Sequence, residues 1–251
     1  MKLLPGLALA VLLTVVASAR ADVGVDLELV LAIDSSGSVD FGESELQMGG
    51  IANALRDPEV IEAIEGAAPN GVAVAVIEWS GPGQQLVGVD WTRITDAGTA
   101  AALAARIEAM GRGLIGETAI GEALRFASAL LAYGPFQGAR RIIDVSGDGP
   151  SNAGGEPEPM RDAAVLAGIT INGLAILREN PGLDRYYAGH VIGGPDAFVI
   201  SAADYDDFAR AIRQKLLREI SGAPLADAAR SKVYVARARQ PGTTGARTGD
   251  R

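Results

Sequence analysis

Residues 25–38, VDLELVLAIDSSGS, decide the fold. The stretch begins with charged residues between apolar ones and closes into the uninterrupted run Leu29-Val30-Leu31-Ala32-Ile33. Such a run suits a strand covered by helices on both faces. It is followed at once by Asp34-Ser35-Ser36-Gly37-Ser38, a D-x-S-x-S pattern. In parallel α/β sheets, ligands bind where strands reach their carboxyl edge. A loop there can aim one carboxylate and two hydroxyls at a common point, with Gly37 letting the backbone turn sharply between the serines. Oxygen donors alone suit a hard cation such as Mg²⁺, Ca²⁺ or Mn²⁺.

Outward from this stretch, further strands are expected at 72–79, 85–89, 141–145, 169–176 and 197–200. Helical patterns lie between them. Residues 42–56 place Leu46, Met48, Ile51, Ala52 and Leu55 roughly on one face. Residues 96–110 follow a cap candidate, Thr95 or Asp96. Residues 119–133 carry the stripe Ile120, Leu124, Ala127 and Leu131, and 157–167 start on a proline. Residues 204–220 group Tyr205, Phe208, Ile212 and Leu216. Strands alternating with helices predict a doubly wound α/β fold, with a mainly parallel six-stranded sheet and helices on both faces. The short turn Ser80-Gly81-Pro82-Gly83 predicts a hairpin, and so one antiparallel edge strand.

Composition sets the bounds. The chain has 251 residues, 48% of them hydrophobic, enough to bury a large core without staples. It has no cysteine, which excludes disulfides, thiolate zinc sites and cysteine nucleophiles. Residues 1–21 read as an export signal: Lys2, an apolar stretch too short to span a bilayer, then the cleavage pattern Ala19-Arg20-Ala21. No later segment reads as a transmembrane span. Cleavage would remove Lys2 and Arg20 from a chain of net charge -9, leaving an acidic protein poorly suited to nucleic acid or anionic lipid. Residues 22–220 form the expected domain, destined for the periplasm or for secretion. Residues 221–251 are a basic tail containing Arg230, Lys232, Arg237, Arg239, Arg247 and Arg251. The tail is read as a mobile, solvated terminus with room for a short strand at Val233-Tyr234-Val235; docking to an acidic surface is the alternative.

Two more segments belong with the first loop. Gly116-Glu117-Thr118 leads into the 119–133 helix, and Ser146-Gly147-Asp148-Gly149 follows the strand ending at Val145. Asp34, Ser36, Ser38, Thr118 and Asp148 can therefore meet at one edge of the sheet. In this order the residues resemble the metal-ion-dependent adhesion site (MIDAS) of von Willebrand factor type A domains. The resemblance covers roughly 25–220, and more narrowly the chain resembles a bacterial branch of exported A-like domains with no assigned function.

The resemblance implies that Ser36, Ser38 and Thr118 offer hydroxyls to a divalent cation, Mg²⁺ first, with Mn²⁺ and Ca²⁺ also suited. Asp34 and Asp148 would act mostly through water or hydrogen bonds. It implies a protein-binding module whose unidentified partner presents Asp or Glu. One departure is Gly147, where many relatives carry threonine; it bears on the reach of Asp148.

Other chemistry has less support. His190 is the only histidine, and no G-x-S-x-G elbow accompanies it, so a Ser-His-Asp hydrolase is disfavoured. Neither a G-x-G-x-x-G after the first strand nor a P-loop occurs. The chain is expected not to be an enzyme. Two alternatives stay open at this point: a metal-assisted hydrolase using the same cleft, and a metal-free structural subunit of an envelope complex.

Overall fold

The computed structural model describes residues 23–222 and 234–235. The expected export signal at 1–21 and most of the expected basic tail lie outside the described residues.

Six strands were expected and all six form: β1 (Val23–Asp34), β2 (Val72–Trp79), β3 (Gln85–Ile94), β4 (Phe136–Gly147), β5 (Thr170–Ile176) and β6 (Phe198–Ala202). A two-residue β7 (Tyr234–Val235) adds to the far edge, at the place the tail left for a short strand. The order is β3-β2-β1-β4-β5-β6-β7. Pairings from β2 through β6 are parallel, while β3 and β7 pair antiparallel. The β2–β3 turn closes as expected, through the Ser80 amide to the Gln84 carbonyl and the Gln84 amide to the Gly81 carbonyl.

Helices α1 (Phe41–Leu55), α2 (Pro58–Ala67), α3 (Ala97–Glu108) and α7 (Phe208–Ser221) send Ile51, Val60, Leu103 and Ile212 into one face of the sheet. Helices α4 (Ile120–Tyr133), α5 (Glu158–Leu166) and α6 (Leu183–Tyr186) place Leu124, Ala164 and Leu183 on the other. Alternate residues of β1 serve the two cores: Leu29 and Leu31 the first, Val30 and Ala32 the second. All eight residues of β2 are buried, the direct reason its sequence is apolar but for Glu78, which accepts from the Ser35 hydroxyl.

Three elements differ from expectation. Helix α2 was not anticipated, yet Asp57 caps it by accepting from the Glu59 and Val60 amides, with Pro58 in its first turn. Helix α6 runs into a π turn (Tyr187–Val191), a region without a readable period. Helix α7 starts at Phe208, so Tyr205 sits in the turn before it rather than on its stripe.

The strand order reverses between β1 and β4. Loops after β1 lead toward β2, and loops after β4 lead toward β5. Their carboxyl ends therefore flank an open crevice at the topological switch point. Register pairs Ile33 with Ser146, which brings Asp34 beside Gly147.

Candidate metal centre at the sheet switch point

The five residues singled out from sequence converge at this crevice. The Ser36 amide donates to Asp34 Oδ1 at 2.7 Å, closing a tight turn directly after β1. Ser36 Oγ lies 3.2 Å from Ser38 Oγ, and Ser38 Oγ donates to Asp148 Oδ1 at 2.8 Å. Ser38, Thr118 and Asp148 line one cleft of ≈ 180 Å³ with Asn152, Glu179 and Asn180. Gly147 does not shorten the reach of Asp148, which meets the first loop directly.

Each loop is held from behind. Gln47 Nε2 of α1 donates to the Asp34 carbonyl at 3.2 Å. Arg112 donates to the Ser36 carbonyl at 2.7 Å and stacks over the Phe41 ring. The Gly37 amide donates to the Gly116 carbonyl at 2.7 Å. A Cβ on Gly37 would stand 3.3 Å from that same oxygen, and its φ is not positive. Glycine is thus needed here for close approach, not for the sharp turn expected. Thr118 is fixed by its backbone amide donating to Asn152 Oδ1 at 2.8 Å, and the Asn152 amide donates back to the Thr118 carbonyl at 2.9 Å. Asn180 Nδ2 donates to the Asp148 carbonyl at 2.9 Å.

Sequence reading missed a layer of tyrosines beneath the third loop. Tyr205 donates to Asp148 Oδ2 at 3.0 Å. The Tyr186 hydroxyl accepts from the Ser151 amide at 3.2 Å. Tyr187 is fully buried. The signals were weak because Tyr205 fits an apolar helical stripe and the 183–191 segment has no period.

The electrostatics are unusual. Asp34 is 0% exposed, and its carboxyl is pushed up to about 7. Burial is the main cause and the Asp148 charge the second, while hydrogen bonds from Ser36 and from the Asp148 amide pull the other way. Burial first, and then Asp148, also raise the Tyr205 phenol. Asp34 Oδ2 is buried without a hydrogen-bond partner. Among the described residues no lysine or arginine pairs with Asp34 or Asp148. Two buried acids with no basic side chain against them, next to three hydroxyls, fit an oxygen-liking divalent ion.

Residues elsewhere have structural accounts. His190 lies in the π turn, 2.5 Å from Glu158 Oε1 and stacked on Tyr186. Trp79 is buried in the core, and Trp91 packs edge-on against Phe136. A larger cleft of ≈ 350 Å³ lies near the start of β4, lined by Trp91, Phe126, Leu130 and Tyr133. It is mostly apolar, with Asp90 its only charged lining residue, and gathers no convergent polar groups.

Comparison with solved structures bears on the fold. A proximal thread matrix protein from the mussel byssus, with a zinc-occupied MIDAS motif, is 16% identical with a TM-score of 0.57, covering 80% of this chain and 49% of that one. The pilus adhesin SpaC of Lactobacillus rhamnosus GG is 15% identical with a TM-score of 0.58, covering 78% and 31%. A von Willebrand factor type A protein from Catenulispora acidiphila is 18% identical with a TM-score of 0.54, covering 78% and 43%. The chain thus spans about half or less of the length of each of these three structures. A search of curated proteins finds no match. The fold is that of the von Willebrand factor type A domain. The family described as a protein of unknown function, DUF1194, matches residues 24–224, nearly the whole folded region, and the chain belongs to that family.

Proposed function

We propose that the chain is an exported, metal-dependent binding module that recognises an acidic group on a partner protein through a divalent cation. One observation carries the reading: the buried acid pair Asp34 and Asp148, with no lysine or arginine against either among the described residues, below the hydroxyls of Ser36, Ser38 and Thr118. Neutral hydroxyls add no negative charge. A bound cation would therefore keep Lewis acidity and an exchangeable water that a partner carboxylate can replace. Mg²⁺ suits the donors best, with Mn²⁺ and Ca²⁺ close behind. The zinc-occupied motif of the mussel protein and the adhesin role of SpaC favour the same reading.

The module binds its partner and does not turn it over; Asp34 has no second carboxylate at D-x-D spacing to share nucleophilic work. Export rests on the leader at 1–21. No helix among the described residues is long and apolar enough to cross a membrane.

Calorimetry with Mg²⁺, Mn²⁺ and Ca²⁺ on wild type and Asp34→Ala tests the site. Wild type should bind weakly to moderately, and the variant should not bind while keeping its circular dichroism. Equal affinity in both, or no binding at millimolar metal, removes the adhesion-site reading. Capture from envelope extract, run with Mg²⁺ and with chelator, then finds the partner. Its key Asp or Glu, changed to Asn or Gln, should abolish binding.

A further inference from the structure

Tyr187 occupies a slot cut by two glycines on neighbouring strands. Gly173 on β5 would put a Cβ 2.6 Å from Tyr187 Cδ1, and Gly147 at the end of β4 would put one 2.6 Å from the Tyr187 hydroxyl oxygen. Neither glycine has a positive φ, so space alone forbids a side chain at these positions. The same Cβ on Gly147 would stand 2.8 Å from Asp34 Oδ2. Tyr187 Oη and Asp34 Oδ2 are thus brought to one point. Both are buried, and both lack a hydrogen-bond partner. Two buried polar atoms, a donor and an acceptor, flanking one point is a costly arrangement unless they serve each other.

We infer that the Tyr187 hydroxyl donates to Asp34 Oδ2, and that glycine at position 147 exists to admit it. Tyr187 is then a positioning residue. The Ser36 amide holds one Asp34 oxygen and the phenol holds the other, fixing the carboxylate plane beneath the hydroxyls. A hydroxyl from the turn Tyr187–Val191 takes the role that a hydroxyl on residue 147 would otherwise fill. Its consequence for metal affinity rests on the proposed cation site; the hydrogen bond itself does not.

The test has two arms. In the first, without metal, the tyrosine Raman doublet is recorded as wild type minus Tyr187→Phe. It should report a phenol acting as a donor, and a non-donor signature overturns the inference whatever the metal does. In the same arm, Gly147→Ala should lower the unfolding midpoint by about 3–10 °C through overpacking. Adding Tyr187→Phe should recover part of that loss, since the new Cβ still meets Asp34 Oδ2; no recovery at all refutes the slot. In the second arm, Mg²⁺ calorimetry should show Tyr187→Phe binding roughly three- to tenfold more weakly, the size of one net hydrogen bond. The double variant Tyr187→Phe/Gly147→Ser, with its hydroxyl moved to the strand, should regain affinity. Unchanged affinity in Tyr187→Phe overturns the positioning role. A wild type that binds no Mg²⁺ but shows the donor signature would fell the cation reading and leave the hydrogen bond standing.

Discussion

The protein buries two pairs of carboxylates and treats them oppositely. Asp144 on β4 and Glu219 on α7 lie between sheet and helix, both essentially unexposed. They share an internal cation: Lys215 Nζ sits 2.9 Å from Asp144 Oδ2 and 2.6 Å from Glu219 Oε1. Asn172 Nδ2 also donates to Glu219 Oε1 at 2.8 Å. Four residues along β4, Asp148 pairs with Asp34 across the switch point, and no side-chain cation comes between them. The first pair has a lysine of the chain's own between its acids, although burial and the Glu219 charge still hold the Asp144 carboxyl above its ordinary range. The second is left without one at the mouth of a cleft. The same strand thus supplies an acid pair finished with an internal cation and an unfinished one, and under the proposed function the unfinished one takes an ion from solution.

Removing the internal cation should produce the largest effect. Lys215→Met fills similar space but strands Asp144 and Glu219 without a counter-charge. Breaking a buried ion cluster this way costs about 3–5 kcal/mol. Urea unfolding at neutral pH should show it as a lower midpoint with little change in slope. If the midpoint hardly moves, the cluster is not held by its lysine and the contrast between the two pairs collapses.

The opposite sign is expected at the switch point. Asp34→Asn keeps the acceptor for the Ser36 amide and removes a charge that burial and Asp148 disfavour. In chelator at pH 8 the variant should be more stable than wild type by on the order of 1–3 kcal/mol. With Mg²⁺ the order should reverse, because only wild type gains from the ion. A loss of stability in chelator would mean that the acid pair is already compensated within the chain.

The pH dependence sharpens the point. Burial and Asp148 push the folded Asp34 carboxyl up to about 7, above the ordinary value of 3.8 that it has in the unfolded chain. Between these values the folded state holds the extra proton. Its contribution is therefore favourable at low pH, fades as pH rises through that window, and is fully lost above about 7. Thermal midpoints of wild type minus Asp34→Asn, taken in chelator from pH 4 to 8, should fall across the window. A flat difference would show that Asp34 is an ordinary carboxylate in the folded state.

The unfinished pair was legible in the sequence and the finished one was not, for a physical reason. Asp34, Ser36, Ser38, Thr118 and Asp148 fall where apolar runs stop, and strand ends of a parallel sheet are where chemistry collects. Asp144 interrupts the run Ile142, Ile143, Val145, and Lys215 and Glu219 lie among Ile212, Leu216 and Ile220 on α7. Each is a polar residue at an apolar position, but nothing local tells which strand polar group meets which helix polar group. The β2 bounds came out as read because burial on both faces dictates its composition. Helix α2 was missed although Asp57-Pro58 is a sound start signal, because only Val60 and Ile64 of its ten residues are buried and its apolar stripe is short. Tyr187 and Tyr205 were illegible as site residues: an aromatic ring buries like core, and only the coordinates show where the hydroxyl ends.

Tyr205 gives the smallest and finest test of the contrast. It stands in the turn between β6 and α7, and its hydroxyl reaches Asp148 Oδ2 at 3.0 Å. Helix α7 thus touches both pairs, through Lys215 at one and through the turn that precedes it at the other. Tyr205→Phe removes one hydrogen bond to a carboxylate and little else, since the ring stays packed in the core. Without metal, the loss should be only about 1 kcal/mol, and the fold should be unchanged. Mg²⁺ affinity should weaken by a factor of roughly five, because Asp148 loses the partner opposite Ser38. Lys215→Met should leave Mg²⁺ affinity nearly intact in whatever fraction stays folded, since its cluster is closed on itself. The double variant then decides whether the two pairs are independent: additive losses in stability keep them separate, within about 0.5 kcal/mol. A larger interaction term would mean that α7 carries strain from one carboxylate pair to the other, so that filling the open site would tighten the closed cluster.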